Sequence, residues 1–107
     1  MQPAIIQQTL DELSRLTVWQ LLEHTATRLP DKIGLIDGER RLAFSDVLDQ
    51  SRRLATGLAG LGLSKGDVAA IYMPNTIELV IVFYALQRLG VVVAWLNPNY
   101  RQTEAQY

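Results

Sequence analysis

Residues 68–73 (Val-Ala-Ala-Ile-Tyr-Met) and 91–96 (Val-Val-Val-Ala-Trp-Leu) are unbroken apolar runs with the length of buried strands, and a helix signal lies between them. Pro74 ends the first run. Asn75 and Glu78 have the spacing of a capping box, Gly90 breaks the helix, and Asn97-Pro98 closes the second run. Ile77, Val80, Ile81, Tyr84 and Ala85 fall on one face of that helix, and Leu79, Val82, Phe83 and Leu86 make its other faces apolar too, so it needs cover all round. Strand, helix, strand in this order is a βαβ unit, with parallel pairing and a right-handed crossover. The fold class that follows is α/β. The stretch 79–96 comes close to the roughly 18 apolar residues of a membrane helix. Its caps and its change of period split it into a helix and a strand, so no membrane span is expected.

Upstream, Thr9 and Glu12 precede Leu10, Leu13 and Leu16 in the manner of a leading helical segment over 1–15. Thr17 and Gln20 form a clearer capping box, with Leu16 and Leu21 at staple positions. Val18, Leu21, Leu22, Thr25 and Leu29 form the expected core face, and Pro30 stops the helix. Residues 33–36 and 40–44 flank Asp37-Gly38 and predict a β-hairpin turning on that dipeptide. Ser45 is the expected cap of a further helix with Val47, Leu48, Ser51, Leu54, Ala55, Leu58 and Leu61 at helical spacing. Asp49 lies one turn from Arg53, and Gly62 is the stop. Ser64-Lys65-Gly66-Asp67 reads as a turn. Thr103 and Glu104 resemble a helix start, and an end at Tyr107 inside its first turn looks imposed.

With 107 residues, 49% of them hydrophobic and 20% charged, the chain has room for one modest core and one domain. A formal charge of −1 with dispersed lysines and arginines carries no footprint for nucleic acid. The absence of cysteine excludes disulfides, thiolate metal sites and a cysteine nucleophile, and a single histidine argues against a metal cluster. The first residues lack a basic and apolar secretory signal, so a cytoplasmic protein is expected.

Three segments share wording with a known family. Leu42-Ala43-Phe44-Ser45-Asp46-Val47-Leu48 is similar to its early LTYxEL segment. The segment from Gly66-Asp67-Val68 to Pro74-Asn75-Thr76 is similar to GDRVAIxxPNS, and that from Leu89-Gly90 to Asn97-Pro98 to xxGAVxVPLNP. In this order they identify the chain as resembling the N-terminal subdomain of the adenylate-forming superfamily, from Leu16 onward. Asn97-Pro98 looks more like acyl- and aryl-CoA synthetases than like the adenylating domains of peptide synthetases. Ala69 and Trp95 depart mildly from the pattern. The resemblance implies that residues 1–107 are the N-terminal part of the large N-terminal domain of an AMP-forming acyl-CoA synthetase. That parent would use ATP, magnesium and CoA on a carboxylic acid. The family's phosphate loop, metal-holding acids and catalytic lysine would all lie beyond Tyr107. The fragment by itself is then expected to hold no catalytic, metal or cofactor residue, and its partner is the rest of its own enzyme chain. The alternative reading is an autonomous small α/β binding or interaction module.

Other residues invite a functional reading. Gly57, Gly60, Gly62 and Gly66 lack the G-x-G-x-x-G spacing and read as helix packing, a C-cap and a turn; Lys65 lacks Walker spacing. His24 reads as a surface or boundary residue, and Asp37 and Glu39 as hairpin positions rather than paired acids. Trp19, Phe83, Tyr84 and Trp95 read as core rather than as an acyl pocket. Arg101 leaves the carboxyl end of a parallel strand and is the candidate for a CoA phosphate, weighed against the favoured reading of a solvated loop arginine. The all-round apolar helix and the strands on either side of it are expected to leave an open surface that promotes self-association.

Overall fold

A computed structural model describes residues 16–96. The order of elements is α1 (Val18–Arg28), β1 (Ile33–Asp37), β2 (Arg40–Ala43), α2 (Phe44–Gly60), β3 (Val68–Tyr72), α3 (Ile77–Leu89) and β4 (Val92–Leu96). β1 and β2 are an antiparallel pair, and β3 and β4 a separate parallel pair in register from Val68 opposite Val92 to Tyr72 opposite Leu96. The α/β class, the hairpin and the parallel βαβ unit are therefore present. The leading segment 1–15 and the helix start at Thr103 lie outside the described residues.

Short-range signals set most element ends. The Thr17 capping box forms in full, with Thr17 N donating to Gln20 Oε1 at 3.0 Å and Gln20 N donating to Thr17 Oγ1 at 3.1 Å. Gly90 closes α3 in the left-handed conformation, with φ of 72°, and the amides of Gly90 and Val91 donate to Gln87 O and Leu86 O. Three expectations are corrected. The hairpin turns on Gly38-Glu39, because Asp37 pairs with Arg40; Gly38 has φ of +61° and no non-glycine residue among those described has positive φ, the sign pattern of a II′ turn. Ser45 is not a cap, because α2 already begins at Phe44. The loop after α1 takes that role: Phe44 N donates to Lys32 O and Ser45 N to Pro30 O. The cap of α3 is Thr76 rather than Asn75, with Leu79 N donating to its hydroxyl at 3.4 Å.

Two apolar clusters share α3. Trp19, Leu22, Val47, Ile77 and Ile81 form one, beneath α1, α2 and the hairpin; Ile71, Leu79, Leu86 and Val91 form the other, between α3 and the parallel strands. A helix apolar on most faces suits this position between two cores. The inner face of α1 is Trp19, Leu22 and Ala26, and the expected Val18, Leu21 and Leu29 are each more than 40% exposed. Burying the indole turns the helix away from the aliphatic stripe, since Trp19 has the larger apolar area to hide. On α2, Val47, Ser51 and Ala55 are fully buried, whereas Leu61 at its end is 86% exposed. The parallel strands bury one face only: Ile71 is inside, while Val68 is 67% exposed.

Candidate functional site

The hairpin is fastened to the start of α3 by a charged cluster above an open groove. Arg40, first residue of β2, donates to Asp37 Oδ2 at 2.5 Å and to both carboxylate oxygens of Glu78, through Nη2 to Oε2 at 2.8 Å and through Nη1 to Oε1. Asp37 Oδ2 also accepts the Ile77 amide at 3.3 Å, so the hairpin supplies one of the acceptors that the first turn of α3 needs. Glu78 lies in that first turn, where the helix dipole favours an anion. The hydrogen bond from Arg40 is the main cause that pushes the Glu78 carboxyl from 4.5 down to about 2, and the two carboxylates in turn raise the Arg40 guanidinium above its ordinary value. Beneath them a groove of about 500 Å³ has Leu54, Ile77, Ile81 and Val82 as its apolar wall and Arg40, Arg41 and Gln50 at its rim. What this arrangement does chemically is match charge: Arg40 forms a bidentate pair with Glu78 and a second pair with Asp37, which ties two segments together. Among the described residues no group of three or more His, Cys, Asp or Glu is placed to hold a metal ion.

Sequence patterns located Asp37 and Glu78 but gave each a separate role, and passed over Arg40. The spacing from Asp37 to Arg40 across a two-residue turn was a signal; nothing local connects either residue to Glu78, which comes within reach only when the hairpin packs on α3.

The remaining candidates fall as follows. His24 is exposed on α1. Lys65 packs its aliphatic stem against Gly90, where an added Cβ would meet its Cγ at 3.1 Å. Gly62 and Gly66 take positive φ at the end of α2 and in the turn before β3, but Gly57 and Gly60 have nothing within 4 Å of an added Cβ, so close helix packing does not explain them. Trp19 is buried core, with the Arg88 guanidinium 5.0 Å from its ring centroid. Phe83 packs with Tyr84 and Trp95 at 5.6 and 5.5 Å between centroids, yet Trp95 is 54% exposed and is not core. No helix of the described residues is long and apolar enough to cross a membrane. Arg101 lies outside the described residues.

Residues 22–107 match the family described as AMP-binding enzyme. Among curated proteins, the chain is 40% identical over 85 residues to pyochelin synthase PchD of Pseudomonas aeruginosa, covering 79% of this chain and 16% of that protein. It is 34% identical over 101 residues to a mitochondrial medium-chain acyl-CoA ligase of Macaca fascicularis, covering 92% of this chain and 16% of that protein. The chain thus spans about one sixth of the length of these relatives. Among solved structures, the N-terminal subdomain of Klebsiella oxytoca NpsA in complex with anthranilyl-AMSN superposes with a TM-score of 0.81 at 29% identity, covering 84% of this chain and 23% of that one.

Proposed function

The chain belongs to the AMP-binding enzyme family, and on that premise we propose that it is the opening part of an AMP-forming acid–thiol ligase whose acceptor is CoA. The observation that carries this reading is the similarity to a medium-chain acyl-CoA ligase over 92% of the chain. Asn97-Pro98, in the form more common among acyl- and aryl-CoA synthetases, supports it. In the proposed reaction a carboxylate oxygen of the acid bonds to the α-phosphorus of ATP as the bond to pyrophosphate breaks. The thiolate of CoA then bonds to the acyl carbon as AMP departs. Stabilising the transferring phosphoryl group calls for a basic, Gly-rich cradle and a metal ion. The described residues do not fit magnesium: Asp37 and Glu78, the carboxylates that converge, already share Arg40 between them. The role of this segment in the proposed ligase is to build the first βαβ unit of the domain and to hold the hairpin against it.

A second reading, favoured by 40% identity to pyochelin synthase, keeps the adenylation step and replaces CoA with a carrier-protein thiol. The two separate in one assay of the parent protein, with pyrophosphate release measured across a panel of carboxylic acids and the acyl product then followed with CoA or with a phosphopantetheinyl carrier. Acyl-CoA formation is expected. Transfer to the carrier alone establishes the second reading, and no acid-dependent pyrophosphate release defeats both. The Arg101→Ala variant of the parent should raise KM for CoA and leave pyrophosphate release unchanged if Arg101 meets a CoA phosphate. The 107-residue chain alone should show no saturable ATP binding by calorimetry; a single site at millimolar affinity or tighter would place nucleotide recognition within it.

A further inference from the structure

Asp37 is the one aspartate of the chain followed by glycine; the others precede Glu12, Lys32, Val47, Gln50 and Val68. The neighbour matters because an aspartyl carboxyl carbon lies within reach of the next residue's amide nitrogen, and a side chain on that next residue obstructs the approach. Gly38 has none. It stands at the tip of the hairpin with φ of +61°, and nothing lies within 4 Å of where a Cβ would be. Its amide has no acceptor among the described residues. The reaction open to such a pair is a rearrangement. The Gly38 nitrogen bonds to Asp37 Cγ, and the amide proton and the carboxyl OH depart as water, which closes a five-membered succinimide. Water then adds to the main-chain carbonyl carbon of residue 37 and breaks that carbon's bond to nitrogen. The main chain now runs through Cγ and the former main-chain carbonyl is a free carboxylate. The water lost is regained, so neither oxidant nor cofactor enters.

The folded hairpin holds this reaction off in two ways. Closing the ring needs the Cα–Cβ bond of Asp37 nearly eclipsed with the bond from its carbonyl carbon to the Gly38 nitrogen, which the extended backbone of a strand does not allow. Asp37 is the last residue of β1 and is paired with Arg40. Its Oδ2 also accepts from Arg40 and from the Ile77 amide at the start of α3, and both bonds must be given up when the carboxyl turns onto Gly38. The fastening that docks the hairpin is thus also the guard on its tip, and it lifts whenever the hairpin opens locally. We propose that Asp37-Gly38 is a site of spontaneous isomerisation to isoaspartate, gated by the docking of the hairpin on α3. The product does not redock in the same way: an added methylene in the main chain displaces the pairing of residue 37 with Arg40 and takes the carboxylate from the Ile77 amide. A transient opening is thereby converted into a lasting change. The proposal concerns residues of this chain alone and stands or falls independently of the ligase reading.

Incubation in warm neutral buffer, followed by digestion and electron-transfer mass spectrometry of the peptide that holds residue 37, tests it. In denaturing urea the chain is expected to form isoaspartate chiefly at residue 37, and about tenfold or more faster than the folded chain does. Arg40→Gln, shown to be folded by circular dichroism, should convert about three- to fivefold faster than the unaltered chain, a modest factor because Arg40 is half exposed. In urea the two should convert alike. Gly38→Ala should slow the conversion severalfold even in urea. If Arg40→Gln fails to fold, the ratio between the folded and the urea-unfolded unaltered chain carries the test. Equal rates for those two states, isoaspartate at other aspartates ahead of residue 37 in urea, or a folded Arg40→Gln variant that converts no faster would overturn the proposal.

Discussion

The hairpin end and the parallel-strand end of this molecule start from similarly short strands and finish differently. β1 and β2 are joined by Gly38-Glu39, so one local turn sets their pairing, and Arg40 then ties that turn region to α3. β3 and β4 are joined by a whole helix; their inner face is completed by α3, and nothing among the described residues supplies an outer layer. An antiparallel pair can be completed by neighbours in sequence and tolerates water on one side, whereas a parallel pair depends on cover brought from elsewhere. The contrast gives α3 an unusual position, because its Ile77 and Ile81 serve the hairpin core and its Leu79 and Leu86 the sheet core.

Cutting either core from the helix is the strongest way to break that contrast. Ile81→Ala and Leu86→Ala, at 8% and 3% exposure, should each cost about 2–4 kcal/mol in urea melts. Val80→Ala, at a half-buried position, should cost about 1 kcal/mol. If the cores are distinct, Ile81→Ala lowers hydrogen-exchange protection chiefly in β1 and β2, and Leu86→Ala chiefly in β3 and β4. Identical exchange patterns would mean one core rather than two, and losses under about 0.5 kcal/mol for both would remove α3 from its central role.

A smaller loss is expected within the hairpin, at Gly34. The pairing of β1 and β2 slips between Ile33 and Leu35, and the ring of Phe44 lies over the glycine, 2.8 Å from where a Cβ would stand. Gly34→Ala should cost about 1–3 kcal/mol through overpacking. Phe44→Leu in the same chain should return part of it. An Ala variant as stable as the parent would show that the ring moves aside freely.

Local signals were legible in the sequence and distant ones were not. The Thr17 box, the Gly62 and Gly90 stops and the βαβ order each depend on residues a few positions apart or on a long run of one period. The cap positions at Ala43 and Thr76 lie two residues before Ser45 and one after Asn75, because the competing acceptors, Lys32 O, Pro30 O and Asp37 Oδ2, belong to other segments. Aliphatic spacing marks Val18, Leu21 and Leu29 on α1, but the larger apolar area of the single Trp19 decides which face is buried. The charged cluster was half visible, in Asp37 and Arg40, and the half that makes it a fastening, Glu78, arrives only through packing.

Ser51 offers a test of opposite sign. Its hydroxyl is fully buried on α2 and Oγ has no hydrogen-bond partner, as is also true of Trp19 Nε1. A buried unsatisfied hydroxyl costs more than the methyl group that would replace it. Ser51→Ala should therefore raise stability by about 1 kcal/mol in the same melts. A loss of comparable size would mean that the hydroxyl is satisfied in solution and helps to fix the helix packing on the hairpin side.

The smallest effect expected is the pH dependence of the Arg40 fastening. The Glu78 carboxyl titrates at about 2 in the folded chain against an ordinary value of 4.5, chiefly because Arg40 donates to its charged form. A folded value below the unfolded one means that the unfolded chain binds the proton more readily. The contribution of Glu78 is then complete above about pH 4.5 and is lost as the pH falls from there through about 2. Glu78→Gln keeps the shape and removes the titration, so its Tm should decline less steeply than that of the unaltered chain within this window. Arg40→Gln should flatten the same limb, and the double variant should flatten it no further, because both act through one pair. Both side chains are about half exposed, at 53% and 54%, so salt should shrink the difference. Parallel acid limbs for all four chains would mean that the pair carries no thermodynamic weight, and that Leu35 and Leu42, packed against the core cluster, hold the hairpin without it.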